Sequence, residues 1–431
     1  MRLVKGNCKL RRLMKIAFLT LGCKLNYAET STYERGFLAA GWEAVRWNEK
    51  ADVYLVNTCT VTATSDSKSR NLVRKVHRVN PDARIIVTGC SAQLRRGELE
   101  AIEGVARVFG ATEKSQVVPW TLKEFGMKVS DELKAAGDED IFAAYSSGER
   151  TRCFLKVQDG CNNYCRYCTV PYARGESRNL PVCRCVEMAR EAAATGIREI
   201  VLTGVNTGDF GRSTGESFLD LLKALNGVEG IERYRISSIE PNLITEEIVD
   251  WIASGTKFQP HFHIPLQVGC DELLSAMGRH YDTAFFAGRI EYIRKALEKP
   301  GKPKVFFGID VMAGLPGETD ELFEKTYSFL RDVVKPAFIH VFPYSRRPGT
   351  PAAEMPGQVP EEVKKQRVER LEKLCAELHS DFVGANRGIS ERVLFESTDR
   401  KGTMAGYTGN YIRVERPYDA ALSGKIVDIV I

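Results

Sequence analysis

Gly160-Cys161-Asn162-Asn163-Tyr164-Cys165-Arg166-Tyr167-Cys168 sets three thiols at spacing C-x3-C-x2-C behind a predicted strand. Thiolates so spaced chelate a soft metal centre, either zinc or an iron-sulfur cluster. Structural zinc takes four ligands in a closed shell, and the first candidates for a fourth, Cys183 and Cys185, lie beyond Pro171, Gly175 and Pro181. Three ligands leave one corner of the centre vacant.

The aromatic slot of this pattern is filled by Tyr167, and C-x3-C-x-aromatic-C resembles the signature of the radical S-adenosylmethionine (SAM) superfamily. In such a cluster the iron without a cysteine binds the amino and carboxylate groups of SAM and reduces it to a 5′-deoxyadenosyl radical. Zinc stays open as the alternative on spacing alone.

Around the triplet, from Thr151, short β runs alternate with helical stretches. Predicted strands are Cys153–Gln158, Glu199–Gly204, Tyr234–Ser238, His261–Leu266, Val305–Val311 and Phe338–Phe342. Helices are predicted over Pro181–Thr195, Ser217–Leu225, Glu246–Ala253, Phe285–Leu297 and Thr319–Val334. Six βα units predict a partial, open barrel whose active site lies at the carboxyl ends of the strands, where the cysteine triplet falls.

Towards the amino end, Lys15–Thr20, Asp52–Asn57 and Arg84–Thr88 read as strands of a parallel α/β sheet, with helices over Glu29–Ala40 and Lys68–Val79. Cys23, Cys59 and Cys90 each follow one of these strands. Strand ends in an open parallel sheet share one edge, so the three thiols are predicted to converge as a second cluster site. For a single cysteine, a small buried hydrophobe at a strand end explains the position equally well. The basic positions Lys68, Arg70, Arg74, Lys75 and Arg78 read as a solvated helix face, with RNA backbone contact the other reading.

Towards the carboxyl end, a charged helix over Pro360–Val383 leads to short β runs (Ser390–Ser397, Thr403–Tyr407, Tyr411–Glu415, Lys425–Ile431) that predict a small β-barrel. Seven Lys or Arg balance seven Asp or Glu from Asp381 to Ile431, so charge does not mark it as an RNA binder. Tyr407, Tyr411 and Arg413 could form a stacking platform, and half-exposed aromatics of the barrel explain the two tyrosines at least as well. The expected division is a basic extension over 1–14, an N-terminal domain over 15–125, a linker over 126–150, the barrel over 151–360, and the connector helix with the β-barrel over 361–431.

A chain of 431 residues with 43% hydrophobic composition supports two or three domains with cores of their own. Twelve cysteines diluted over that length, without an export signal, imply a reducing cytoplasm rather than a disulfide scaffold. The apolar run Ile16–Leu21 is too short for a signal core or a membrane span, and Met14 reads as a possible true start. A net charge of +5 does not argue for nucleic acid.

Taken together, the trio Cys23, Cys59 and Cys90, the trio Cys161, Cys165 and Cys168, and the terminal β-barrel resemble the methylthiotransferase family of radical-SAM enzymes. Further matching stretches are Lys156–Cys161, His263–Gln267 with Met277 and Arg279, Gly314–Thr319 and Phe342–Thr350. Within the family, Gly22-Cys23-Lys24-Leu25-Asn26 is similar to the form found in enzymes that modify N6-threonylcarbamoyladenosine (t6A) in tRNA. Sister enzymes act on isopentenyladenosine tRNA or on an aspartate of a ribosomal protein. A non-catalytic RNA-binding protein with structural zinc is the reading from another class.

The resemblance implies two 4Fe-4S clusters, one on each trio. The second trio would cleave SAM so that a hydrogen is taken from C2 of the adenine. The first would hold or donate the sulfur, and another SAM would supply the methyl group. It implies tRNA, gripped at the anticodon stem-loop by a TRAM-like barrel, as partner, with a reductant such as flavodoxin or ferredoxin and neither DNA nor membrane. SAM contacts are expected from Tyr167, Gly204, Asn206, Ser238, Glu240 and Gln267, although Thr203-Gly204-Val205-Asn206 departs from the Gly-Gly-Glu turn of many relatives. Cys8, Cys153, Cys183, Cys185, Cys270 and Cys375 read as packing residues. His261 and His263 share one strand face and are not read as a metal pair.

Overall fold

The computed structural model describes residues 12–131, 141–148, 151–397, 399 and 401–431; Cys8 and most of the predicted basic extension lie outside them. The amino-terminal unit is a five-stranded parallel sheet. In chain order its strands are β1 (Lys15–Thr20), β2 (Glu43–Val45), β3 (Val53–Thr58), β4 (Arg84–Gly89) and β5 (Val105–Val108), arranged β2-β1-β3-β4-β5. Every residue of β3 is buried, as expected for a central parallel strand covered on both faces. The sequence reading found β1, β3 and β4 and missed the two edges, which are short and mostly half-exposed and so carry little hydrophobic pattern.

Helix α1 (Lys24–Ala39) starts five residues before its predicted start, directly on Cys23, which is its N-cap. α2 (Ala63–Val79) follows β3, with Lys68, Arg74, Lys75 and Arg78 exposed along it. Arg70 pairs with Glu98, and Lys75 stacks over Trp47, as a solvated face would.

Six parallel strands follow: β6 (Arg152–Lys156), β7 (Glu199–Thr203), β8 (Arg233–Ile236), β9 (His261–Gln267), β10 (Phe306–Ala313) and β11 (Phe338–Pro343). They pair as two triplets, β8-β7-β6 and β9-β10-β11, and parallel bridges at Tyr234–Phe258 and Ser238–His263 close the seam between β8 and β9. The result is the predicted open barrel. On β9, Phe262, Ile264 and Leu266 enter the core under the outer helices, so the period-2 pleat turns His261, His263, Pro265 and Gln267 to the lumen.

Four antiparallel strands, β12 (Ser390–Phe395), β13 (Thr403–Tyr407), β14 (Arg413–Pro417) and β15 (Ile426–Val430), curl into a small half-barrel in the order β14-β13-β12-β15. It seals the amino end of the larger barrel. Arg233 donates to the carbonyl of Arg392 (2.9 Å), and Arg235 donates to those of Gly409 and Thr408 (both 2.7 Å). Both guanidiniums also pair with the buried Glu199, at 2.5 and 2.7 Å.

One expectation is corrected here: Cys183 is exposed, so it is not a packing residue, whereas Cys153, Cys185, Cys270 and Cys375 are buried. Of the two readings of Tyr411, the structure gives the barrel aromatic: its hydroxyl accepts from Arg152 (2.8 Å), and its ring packs on Tyr407, His261 and Phe306. The described part of the 126–150 stretch packs on both flanking units: Phe142 stacks on Tyr33 at 5.0 Å, and Tyr145 bridges Leu155 while its carbonyl accepts from Arg35 (2.9 Å).

The sheet unit and the barrel are fastened by a fully buried charge network. Glu29 of α1 receives Lys114 (2.7 Å), Lys156 (2.9 Å) and Arg174 (3.3 Å); Asp159 receives Lys156 (2.7 Å) and Arg174 (2.9 Å). The three cations hold both carboxyls well below the usual range even though burial pushes the other way. Such depressed groups stabilise the fold fully above the ordinary carboxylate range. That contribution declines as pH falls through the range and is gone once pH passes below the folded-state values. Glu29→Gln, which leaves buried cations under-paired, is expected to cost about 3–5 kcal/mol by denaturant unfolding and to flatten the acid limb of the stability profile.

Candidate metal centres and the lumen between them

Cys23, Cys59 and Cys90 stand at the carboxyl edge of the parallel sheet, as the N-cap of α1, the residue after β3 and the first residue of α3 (Cys90–Leu94). Backbone geometry compels the last of these. Gly89 has φ +100°, and a Cβ there would lie 2.3 Å from the Thr58 carbonyl oxygen, so β4 turns into α3 only through a glycine. Asn26 secures the first loop by donating to the carbonyls of Leu21 (2.7 Å) and Thr58 (2.9 Å). Burial pushes the Cys59 thiol up to about 11 and raises Cys90, and the Cys59 thiol also feels Cys90 and Cys23 as like charges.

The second trio follows β6 through another obligatory glycine. Gly160 has φ +75°, and a Cβ there would fall 1.9 Å from the Glu176 carbonyl oxygen. Each sulfur of this trio accepts one hydrogen bond: Cys161 from the Asn163 amide (3.4 Å), Cys168 from the Val170 amide (3.4 Å) and Cys165 from the Arg279 guanidinium (3.0 Å). Burial pushes Cys161 up to about 11 and Cys168 to about 12, so these two thiols are protonated at neutral pH and would become thiolates on binding a metal.

Among the described residues, the group of His, Cys, Asp and Glu donors that closes to within 4.8 Å is His263, Asp310 and His340; neither cysteine trio closes so tightly. Four thiolates on one zinc stand about 3.8 Å apart. Three thiols without a fourth, and the donors aimed at the sulfurs of the second trio, suit an iron-sulfur cluster with three cysteine ligands.

Helix α4 (Val170–Arg174) leaves directly from the second trio and packs on α3, which begins at Cys90. The loop that carries Cys168 and the turn that carries Cys90 are therefore joined through this helix pair. At its end Arg174 donates to Asn26 (2.6 Å) and carries its charge to Cys23 and Cys90. A second tie runs from Arg347, which reaches Thr60 (2.9 Å) and Asp66 (2.5 Å) beside Cys59.

The expected SAM contacts gather at the strand ends. The Gln158 amide donates to Gly160 (2.8 Å), while its oxygen accepts from the amides of Val205 (2.9 Å) and Asn206 (3.0 Å); a Cβ on Gly204 would strike that oxygen at 2.8 Å. Asn206 in turn accepts from the Glu240 amide (3.2 Å), and the Ser238 carbonyl accepts from Thr207 (3.0 Å). Glu240 pairs with Arg279 at 2.5 Å, and Arg279 also reaches the half-buried Tyr167 (3.4 Å). Gln267 sits one strand over, at a bulge with φ +71°. Arg279, Gln158 and Arg174 were missed as site residues. Two of them lie in stretches the sequence reading had quoted, but only the folded loops show what they touch.

Deeper in the lumen His263 pairs with Asp310 (2.6 Å) and lies 4.8 Å, ring to ring, from His340. Burial, then His263, lowers His340 to about 4, so it is neutral at pH 7. His261 instead stacks on Phe306 at the floor.

Residues 15–110 match the family described as "Uncharacterized protein family UPF0004", and residues 155–330 match the radical SAM superfamily. The chain is 40% identical to threonylcarbamoyladenosine tRNA methylthiotransferase MtaB of Bacillus subtilis, covering 96% of this chain and 93% of that one. It is 35% identical to the protein of the same name from Aquifex aeolicus, over 97% of this chain and all of the other. Among solved structures, the radical SAM methyltransferase TsrM of Kitasatospora setae shares the fold with a TM-score of 0.56 at 15% identity, over 79% of this chain and 77% of that one.

Gly89→Ala is expected to lower stability by about 2 kcal/mol or more, read by thermal unfolding, because the added Cβ meets backbone rather than a yielding side chain. The same substitution at Gly41, which also has positive φ but nothing within 4 Å of its Cβ, should cost less.

Proposed function

Because this chain belongs to the radical-SAM methylthiotransferase family, we propose that it adds a methylthio group to C2 of N6-threonylcarbamoyladenosine next to the anticodon of tRNA. The reading is carried by likeness over nearly the whole chain to enzymes named as threonylcarbamoyladenosine tRNA methylthiotransferases, and it is supported by the packing of α4, which follows Cys168, on α3, which begins at Cys90. Bound by Cys23, Cys59 and Cys90 and by Cys161, Cys165 and Cys168, two 4Fe-4S clusters would supply sulfur on one side and reductive cleavage of SAM on the other.

The chain's own part is to hold and orient. Tyr167, Gly204, Asn206, Ser238, Glu240 and Gln267 are assigned to the SAM side of the lumen, with Arg279 positioning Glu240 and the Cys165 sulfur. The half-barrel seals the far end, which keeps water from a radical formed inside. A base in a stem-loop must be splayed out to reach this depth. We assign the working units as 15–125, 151–360 and 361–431, with 126–150 as the linker between the first two. A one-electron carrier such as flavodoxin or ferredoxin would supply the reductant, in the cytoplasm where tRNA is modified; no described helix is long and apolar enough to cross a membrane.

Nucleoside analysis of tRNA from a strain lacking the protein tests the reading. Loss of the methylthio group from t6A alone supports it, and unchanged tRNA overturns it. Cys59→Ala should lower iron from about eight to about four per chain and abolish methylthiolation while leaving reductive SAM cleavage measurable. Cleavage lost with four irons retained would refute the division of labour between the trios.

A further inference from the structure

The loop Lys299-Pro300-Gly301-Lys302-Pro303-Lys304 leads from the helix Thr283–Leu297 to β10, and its two prolines fix the backbone on either side of the Gly301 turn. Its far end is fastened to the half-barrel. The Lys304 amide donates to Asn386 (2.9 Å), and the Lys304 carbonyl accepts from Asn410 (3.0 Å). Asn410 also donates to Asn386 (2.9 Å), which in turn donates to the Phe382 carbonyl (2.8 Å). Both asparagines are fully buried, so the loop and the half-barrel meet in one fixed relation. Between them lies a groove of about 540 Å³, one wall of which carries Arg294, Lys295, Lys299, Lys302 and Lys304 against a single acid, Glu298. The other wall is the entry to the half-barrel, at Ala385 and Ile389.

These cations are not matched within the protein. Glu298 is taken by the Lys304 ammonium (3.1 Å) and the Val305 amide (3.3 Å), while Arg294 spends its donors on the carbonyls of Val334 (2.5 Å) and Lys335 (3.0 Å). Lys295, Lys299 and Lys302 are exposed, and among the described residues their ammonium groups pair with no acid. A basic loop is ordinarily a solvated one, but these charges line a groove with two fixed walls. Compact point charges of one sign, set in a row, suit a chain of phosphates. The stretch from Asp381 to Ile431 has no surplus of its own, with seven Lys or Arg against seven Asp or Glu, so the attraction it lacks stands on the barrel loop beside it. The groove lies at the amino end of β10, whose eight residues put it roughly 26 Å from the carboxyl ends of the strands. An RNA with one base at those ends and its backbone in the groove must span that length, which a stem-loop does and a free nucleoside does not. We propose that this groove holds the sugar-phosphate backbone of the anticodon arm; this rests on the tRNA reading above.

The experiment titrates cluster-loaded protein of equal iron content into two fluorescent probes, a t6A-bearing anticodon stem-loop and total tRNA, and reads Kd by anisotropy. Wild type is compared with the groove variant Lys299→Gln/Lys302→Gln and with Lys223→Gln/Lys365→Gln, which removes the same charge from exposed lysines elsewhere. The groove variant should bind both probes roughly tenfold more weakly, and its slope of log Kd against log salt should fall by about one to two, since each lost phosphate contact removes just under one. Lys299→Arg/Lys302→Arg should restore most of the affinity, the control should stay within about twofold of wild type, and SAM cleavage without RNA should be unchanged in all. A groove variant that binds as wild type does overturns the proposal. So does a control that weakens as much, because net charge alone then explains the loss. Wild type that binds total tRNA but not the t6A stem-loop overturns the t6A reading alone, and the groove then stands or falls on the same comparison with total tRNA; wild type that binds neither probe overturns both.

Discussion

The molecule hangs on the buried contact of two carboxylates with three cations, Glu29 and Asp159 with Lys114, Lys156 and Arg174. Buried ion pairs are weak sources of net stability, because desolvation consumes most of the Coulomb gain. Their value here is geometric. Glu29 and Lys114 belong to the sheet unit, the other three belong to the barrel, and every satisfactory arrangement of the five fixes the two units in one relation. A hydrophobic contact of the same area would tolerate sliding, whereas a misaligned charge buried at this depth would stand unpaired. Arg174 transmits the constraint to the chemistry, since one end of its guanidinium holds Asn26 in the first cysteine loop and the helix behind it starts from the second.

A similar economy governs the far end of the lumen. Radical-SAM barrels are open, and an open barrel needs a floor. In this chain the floor is made of arginines whose donors are spent on the carbonyls of the half-barrel and on Glu199, with Tyr411 inserted among them. The half-barrel is thus part of the active-site wall. Any RNA it contacts must be held by its outer surface, since the aromatic pair that the sequence suggested for stacking is spent inward.

The chemistry was legible in the sequence because it is local. The C-x3-C-x2-C run shows itself by spacing alone, and Cys23, Cys59 and Cys90 by standing just past three predicted parallel strands. The central strands were legible for a related reason: Val53–Thr58 is buried on both faces and reads as one apolar run. What failed to show was whatever owes its meaning to long-range contact. Glu29 looked like any helical glutamate, Lys114 like a loop lysine and Arg279 like part of a turn, since a charge gives no periodic signal of its burial. The edge strands failed for the opposite reason, being too exposed to carry a pattern. The start of α1 was misplaced because its N-cap is a cysteine, which lacks the side-chain oxygen that marks ordinary helix starts.

That last irregularity fits the rest of the site. A helix N-terminus capped by Ser or Asp satisfies its own amides, but one capped by cysteine leaves its partial positive charge for whatever the sulfur binds. Cys23 caps α1 and Cys90 opens α3, so two of the three cysteines in the first trio stand at helix starts, beside a centre that three thiolates would make anionic. Arg174 and Lys114 add full charges from below, both acting on Cys90. Arg174 and Lys114 are therefore shared: the cations that pair with Glu29 and align the two units are also the ones that bring positive charge to the Cys90 sulfur. A shift of one unit against the other would weaken both contacts at once, so the alignment of the units and the electrostatics of this trio are one constraint.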